Sequence, residues 1–181
     1  MNTVSDNIDQ PVTTTVDVKT IILEQIAKTP GIRYMELLRL AGLTNGTLEY
    51  HLKILEKSHK INVDRHDGRR ARYYPFNISA DESHILGYVR NKVARQIVCF
   101  ILEHDLCTFG EIVDRIEKAP STASWQLKRL FEAGIISIKY GQEYQLYSLV
   151  NNNLVKDVLY KYEESLRDEI ANGYFEMFGE L

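Results

Sequence analysis

Cysteine is scarce in this chain, with two in 181 residues. That is too few for a disulfide framework, so a reducing cytoplasm is the expected setting. No apolar run approaches the roughly 20 residues of a membrane span. The N-terminus lacks the basic flank and apolar stretch of a signal peptide. Catalytic motifs are missing too. The five histidines form no i, i+4 pair with a carboxylate base, and there is no Gly-rich phosphate loop or Ser/Cys nucleophile motif. No enzyme is expected, and no cofactor. A net positive charge is also lacking: the formal total is −3. What remains is ordinary globular composition, 44% hydrophobic and 26% charged, which excludes a disordered chain.

The charge is unevenly placed, and its distribution says more than its sum. Residues 15–80 carry a net +4, residues 81–150 a net −1 and residues 151–181 a net −4. One segment is basic, and a polyanion is expected there.

The most informative feature is a repeat. Thr44 to Ile61 reads TNGTLEYHLKILEKSHKI, and Ala119 to Ile136 reads APSTASWQLKRLFEAGII. At an offset of 75 residues Glu36 meets Glu111, Thr47 meets Thr122, Leu52-Lys53 meets Leu127-Lys128, Leu55 meets Leu130 and Ile61 meets Ile136. A wing one residue shorter then brings Tyr73 onto Tyr147. In the first copy, periodicity and punctuation predict helices over 17–28, 33–40 and 45–58, followed by strands in KINVDRH and ARYYPF around an Asp-Gly hairpin turn. In the second, the capping boxes Ser79-x-x-Glu82 and Thr108-x-x-Glu111 open helices over about 82–104 and to about 118. Pro120 starts a third helix, and strands follow in IISIKY and YQLYSL. A last helix over 152–178 has no counterpart.

Three short helices, a Gly-bearing turn and a hairpin are the layout of a winged helix-turn-helix. The expected fold is mainly α with small β wings (α+β): two tandem winged helix-turn-helix domains plus a long C-terminal helix. The expected division is a disordered arm over 1–15, a basic domain over 16–78, a second domain over 79–150 and a C-terminal helix over 151–181.

The repeat keeps what packs and varies what protrudes. Leu48, Leu52 and Leu55 form one core stripe, and Ala123, Leu127 and Leu130 the other. Thr44 or Asn45 is the N-cap of the first reading helix, whose outer face shows Asn45, Thr47, Glu49, Tyr50 and Lys53, with His51 at its margin. The second shows Ser121, Ser124, Trp125, Lys128 and Arg129. Such sets suit a DNA major groove, which admits one helix and pairs Asn with adenine and Arg or Lys with guanine. Thr47 and Thr122 sit where a hydroxyl reaches a phosphate. The first wing adds Arg65, Arg69, Arg70 and Arg72, four arginines within eight residues, to grip the backbone or enter a minor groove.

TLEYHLKILEKSHKI and TASWQLKRLFEAGII resemble the reading helix of ArsR-type winged-helix repressors, roughly T-V-S-H-H-L-K-x-L-x-x-A-G-L-I. The two-copy layout is similar to archaeal tandem regulators. The resemblance covers about residues 17–150. It implies DNA contact at Thr47, Glu49, Tyr50 and His51, and at Thr122, Ser124, Trp125 and Gln126. Glu49 departs from the family's serine; a carboxylate cannot hold a phosphate, so it reads a cytosine amine or marks altered binding. Packing is the alternative for His51, Gln126, Tyr50 and Trp125. Cys107 falls where ArsR-type metal sensors place a thiolate pair, but here only His104 stands near it. A metal site needs three or four ligands, so a buried apolar cysteine is expected and no metal.

The expected function is a sequence-specific, DNA-binding transcriptional regulator in the cytoplasm, with double-stranded DNA as partner and no membrane. The alternative is a winged-helix adaptor that binds proteins without DNA, such as a partner of the transcription machinery. Val155, Val158, Tyr162, Leu166 and Ile170 lie on one stripe of the last helix. With the long 82–104 helix, that stripe favours a homodimer; a helix folded back on its own domain is the rival.

Overall fold

The computed structural model describes residues 17–65, 71–141 and 143–167. The N-terminal arm, Arg69, Arg70 and Ile170 lie outside the described residues. The first unit runs α1 (Val18–Lys28), β1 (Ile32–Arg33), α2 (Tyr34–Ala41), α3 (Asn45–Lys57), β2 (Ile61–Asp64) and β3 (Arg72–Pro75). Then come α4 (Ala80–Val89) and the second unit: α5 (Lys92–His104), β4 (Cys107–Thr108), α6 (Phe109–Ile116), α7 (Pro120–Glu132), β5 (Ile136–Tyr140) and β6 (Gln145–Leu149). Two short helices close it, α8 (Asn152–Lys161) and α9 (Glu163–Arg167). Helix makes up 63% of the described structure, and the strands form two small antiparallel sheets, so the fold is mainly α with β wings.

The repeat holds in three dimensions. The sheets have the orders β1-β3-β2 and β4-β6-β5. Ile32 pairs with Tyr73 as Cys107 pairs with Tyr147, and Val63 opposes Tyr73 as Ile138 opposes Tyr147. The two-residue strands β1 and β4, which the residue pattern does not announce, are third members that pin each helix-turn-helix to its wing. The backbone repeats its special positions as well. Gly42 (φ 63°) and Glu117 (φ 51°) end α2 and α6 in the left-handed region, and His59 (φ 53°) and Gly134 (φ 68°) follow α3 and α7. At these two paired positions each unit has glycine at one and a side chain that tolerates strain at the other; Gly31 (φ 81°) and Asp105 (φ 60°) are further positive-φ residues.

Both reading helices bury their predicted stripes: Leu48, Leu52 and Leu55 in one core, Ala123, Leu127 and Leu130 in the other. Capping boxes open α4 at Ser79/Glu82 and α6 at Thr108/Glu111, as the sequence predicts.

Two expectations are corrected. The helix expected over 82–104 is two helices. α4 ends at Val89, and Asn91 opens α5 by accepting from the Ala94 N–H at 3.0 Å. Apolar periodicity continues across the break and hides the N-cap. The last helix is likewise broken, at Tyr162. Val155, Val158 and Leu166 are buried in the chain's own second core, with Tyr162 packed beside them. The described part of that stripe is therefore used within one chain and is not open for an intersubunit seam; burial of apolar area is satisfied without a partner. Lys161 reinforces the fold-back by donating to Glu82 Oε1 at 2.6 Å.

Candidate nucleic-acid interface

The first reading helix is capped by Thr44, whose hydroxyl accepts from the Thr47 N–H at 3.3 Å and lies 2.8 Å from the Thr47 hydroxyl. Thr47 is half-buried by this contact. Asn45 is exposed, with its Oδ1 accepting from Tyr34 Oη at 2.7 Å. That bond turns the amide and leaves its N–H groups as the donors. Tyr50 is 63% exposed and meets His51 edge to face. Lys53 donates to Glu49 at 2.7 Å on the outer face. The Lys53 hydrogen bond holds the Glu49 carboxyl below its ordinary range. Both groups face water, so the pair is weak and a phosphate could take Lys53 from it.

The wing arginines part ways. Arg65 is exposed and bidentate on Glu56, at 2.6 and 2.7 Å, which fixes the base of the wing against the end of α3. Arg72 instead turns inward: its Nη1 donates to Gly31 O at 2.7 Å beneath the second strand of the wing. Arg72 is half-buried, and this bond commits one of its guanidinium nitrogens to the fold. It lies on the covered side of β3, where a guanidinium satisfies a buried carbonyl.

In the second unit Ser121, Ser124 and Lys128 are exposed and Thr122 half-buried. Trp125 is 55% exposed, and the Arg129 guanidinium stacks over its ring at 4.8 Å and over Tyr88 at 5.3 Å. Lys128 faces Glu132 at 3.8 Å. Gln126 is 3% exposed and donates to Asn91 Oδ1 at 2.9 Å. Its expected DNA contact is corrected, because it belongs to the core stripe with Ala123, Leu127 and Leu130. The same i, i+3, i+4, i+7 spacing places His51 beside Leu48, Leu52 and Leu55, half-buried. That spacing is the signal the sequence offers for both.

Cys107 and Cys99 are buried. Burial pushes the Cys107 thiol up to about 11 and the Cys99 thiol up to about 12. Among the described residues no helix is long and apolar enough to cross a membrane.

Two helix-turn-helix units, each with a hairpin wing and an outward reading helix, define the class: a tandem winged-helix protein. Comparison with known proteins agrees. Residues 16–86 match the family model HTH_HVO_0163_N, an N-terminal HTH domain, and residues 91–137 match HTH_5, bacterial regulatory protein, arsR family. The chain thus carries two helix-turn-helix matches in tandem, the second to an ArsR-family model. It is 28% identical over 123 residues to the uncharacterized HTH-type transcriptional regulator MJ1398 of Methanocaldococcus jannaschii, a match covering 68% of this chain and 31% of that protein. It therefore spans about a third of that relative's length. Among solved structures it is similar to HlyU from Vibrio cholerae (21% identity, TM-score 0.41, 46% of this chain and 90% of that one). Another is the transcriptional repressor BigR from Xylella fastidiosa (26% identity, TM-score 0.39, 44% and 82%).

Proposed function

We propose that the chain is a DNA-binding transcriptional regulator, working in the cytoplasm, whose first unit does most of the gripping. The observation that carries this reading is α3: a capped helix in a net basic segment, with its apolar stripe buried and Asn45, Tyr50 and Lys53 left outward. A groove-reading helix needs those features. Lys53 and the arginines of the first wing, Arg65, Arg69 and Arg70, supply the backbone contacts, and Asn45 a base contact through its amide donors. The matched families and the M. jannaschii relative support the same reading.

Two reading helices in one chain do not require a second copy. For the homodimer expected from residues 152–178, the described part of the stripe is buried within one chain, and Ile170 lies outside the described residues. The test is a gel shift with random duplex at low salt, followed by site selection from a random pool. Binding that weakens steeply with salt is expected, because the grip comes from displaced counterions. No shift at low salt overturns the reading.

The second reading, a protein-binding adaptor, is favoured by one specific place. A groove of about 720 Å3 between the second wing and its helix-turn-helix is lined by Phe109, Glu111, Ser124, Glu143 and Tyr144. The two carboxylates there repel phosphate, and the rings suit a protein surface, including one in the transcription machinery. Absence of any shift together with retained partner capture through Trp125 would support it.

A further inference from the structure

The two units meet through buried contacts that include Arg90 and Tyr74. Arg90, just after α4, is 6% exposed. Its Nε donates to Pro30 O at 2.9 Å, in the first unit's α1–β1 turn. Its Nη1 donates to Ser165 O at 2.6 Å and its Nη2 to Ser165 Oγ at 2.9 Å, both on α9. One planar fork therefore ties the first unit, the linking helix and the C-terminal helix. Beside it, Tyr74 leaves the first wing and is 1% exposed inside the second unit's core. Its hydroxyl has no hydrogen-bond partner among the described residues. It is wedged between two glycines: a Cβ on Gly87 would stand 3.0 Å from Tyr74 Oη, and one on Gly31 would stand 3.1 Å from its ring. A buried hydroxyl without a partner is costly, and it persists here in a contact with no slack.

We propose that Arg90 and Tyr74 lock the two winged-helix units in one orientation, so that the chain reads a two-part duplex site of a single spacer length. The inference rests on the DNA-reading function proposed above. Arg90 and Tyr74 touch no nucleotide in it; they are positioning residues, and specificity for spacing lives in the junction. A guanidinium is suited to this role. It satisfies acceptors in two directions at once, and removing it leaves carbonyls buried and unpaired.

The test has two arms. In the first, spin labels on Lys57→Cys (α3) and Glu132→Cys (α7) report the distance between the reading helices; the native thiols are buried. The parent should show one narrow distribution. Gly87→Ala and Arg90→Met should broaden or shift it, with helix content retained by circular dichroism. Adding Tyr74→Phe to Gly87→Ala should restore it, because the oxygen that the new methyl meets is gone. If either variant fails to fold, Ser165→Ala, which removes one acceptor, takes its place. In the second arm, duplexes selected by the parent are lengthened by about five base pairs between their two parts, half a helical turn. The parent should lose at least about tenfold in affinity and Arg90→Met less than about threefold.

A broad distribution in the parent, or an unchanged one in every variant, overturns the lock. One narrow distance in a chain that binds no duplex keeps the lock and removes the DNA reading. Duplex binding by the parent that is indifferent to spacer length overturns the spacing claim.

Discussion

The two units share a scaffold and differ in what they show to solvent. In the first, the reading helix carries Asn45, Tyr50 and Lys53 within a net basic segment. In the second, the equivalent face carries Ser124, Trp125 and an Arg129 stacked between two rings, beside a groove with Glu111 and Glu143. Duplicated packing thus tolerates divergent chemistry, because the stripe that folds a helix and the face that binds occupy different sides of it. Surface charge and fold are therefore independent of each other in these two units. A winged helix is not by itself a DNA reader, and the basic unit has the stronger claim.

The largest test of this comparison exchanges the cores. Leu48 and Ala123 are equivalent and both fully buried. Leu48→Ala should cost about 2–5 kcal/mol by opening a cavity, and Ala123→Leu about 1–3 kcal/mol by overpacking. Urea melts would measure both, and a neutral result in either would deny that the scaffolds pack alike.

Next comes the grip. Ala at Arg69 and Arg70 together should lower the slope of log affinity against log salt by roughly one unit for each phosphate left without its cation. Lys128→Ala in the second unit should change it by less. Equal slopes would erase the proposed division of labour.

The left-handed positions offer a smaller contrast. His59→Gly and Glu117→Gly should each stabilise by about 0.5–1 kcal/mol. Gly42→Ala and Gly134→Ala should destabilise by about as much, although an added Cβ meets nothing within 4 Å at either site. Thermal melting of the four variants would show whether backbone strain alone sets the sign.

The smallest effect is electrostatic. Glu82 is held below the ordinary carboxylate range, first by the Lys161 hydrogen bond. A depressed folded value means that this stability is complete above the ordinary carboxylate range and is lost as pH falls through the folded one. Lys161 is largely exposed, so the ion pair contributes about 0.5 kcal/mol. Glu82→Gln should flatten the acid limb of the stability profile by that amount, and an unchanged limb would remove the tie between α8 and α4.

Most of the helices, both wings and both capping boxes are legible in the residue order, because each rests on local spacing or on a cap. The outer face of α3 is legible for the same reason. Gln126 reads as outward because its polarity outweighs its spacing, yet a buried amide is satisfied where a partner such as Asn91 waits. Arg72 reads as outward because a strand residue's side depends on what covers the sheet. The breaks at Arg90–Asn91 and Tyr162 are hidden by apolar periodicity that runs through them.

By itself, the order of residues determined two copies of one helical scaffold, their hairpins and the charge difference between them, since these depend on patterns within a turn or two of chain. The fold-back of α8 and α9, the inward turn of Arg72 and the junction built on Arg90 and Tyr74 were decided only by tertiary structure. The Arg90 bonds join residues 60 and 75 positions apart, and no local pattern records which distant carbonyl a buried guanidinium will find.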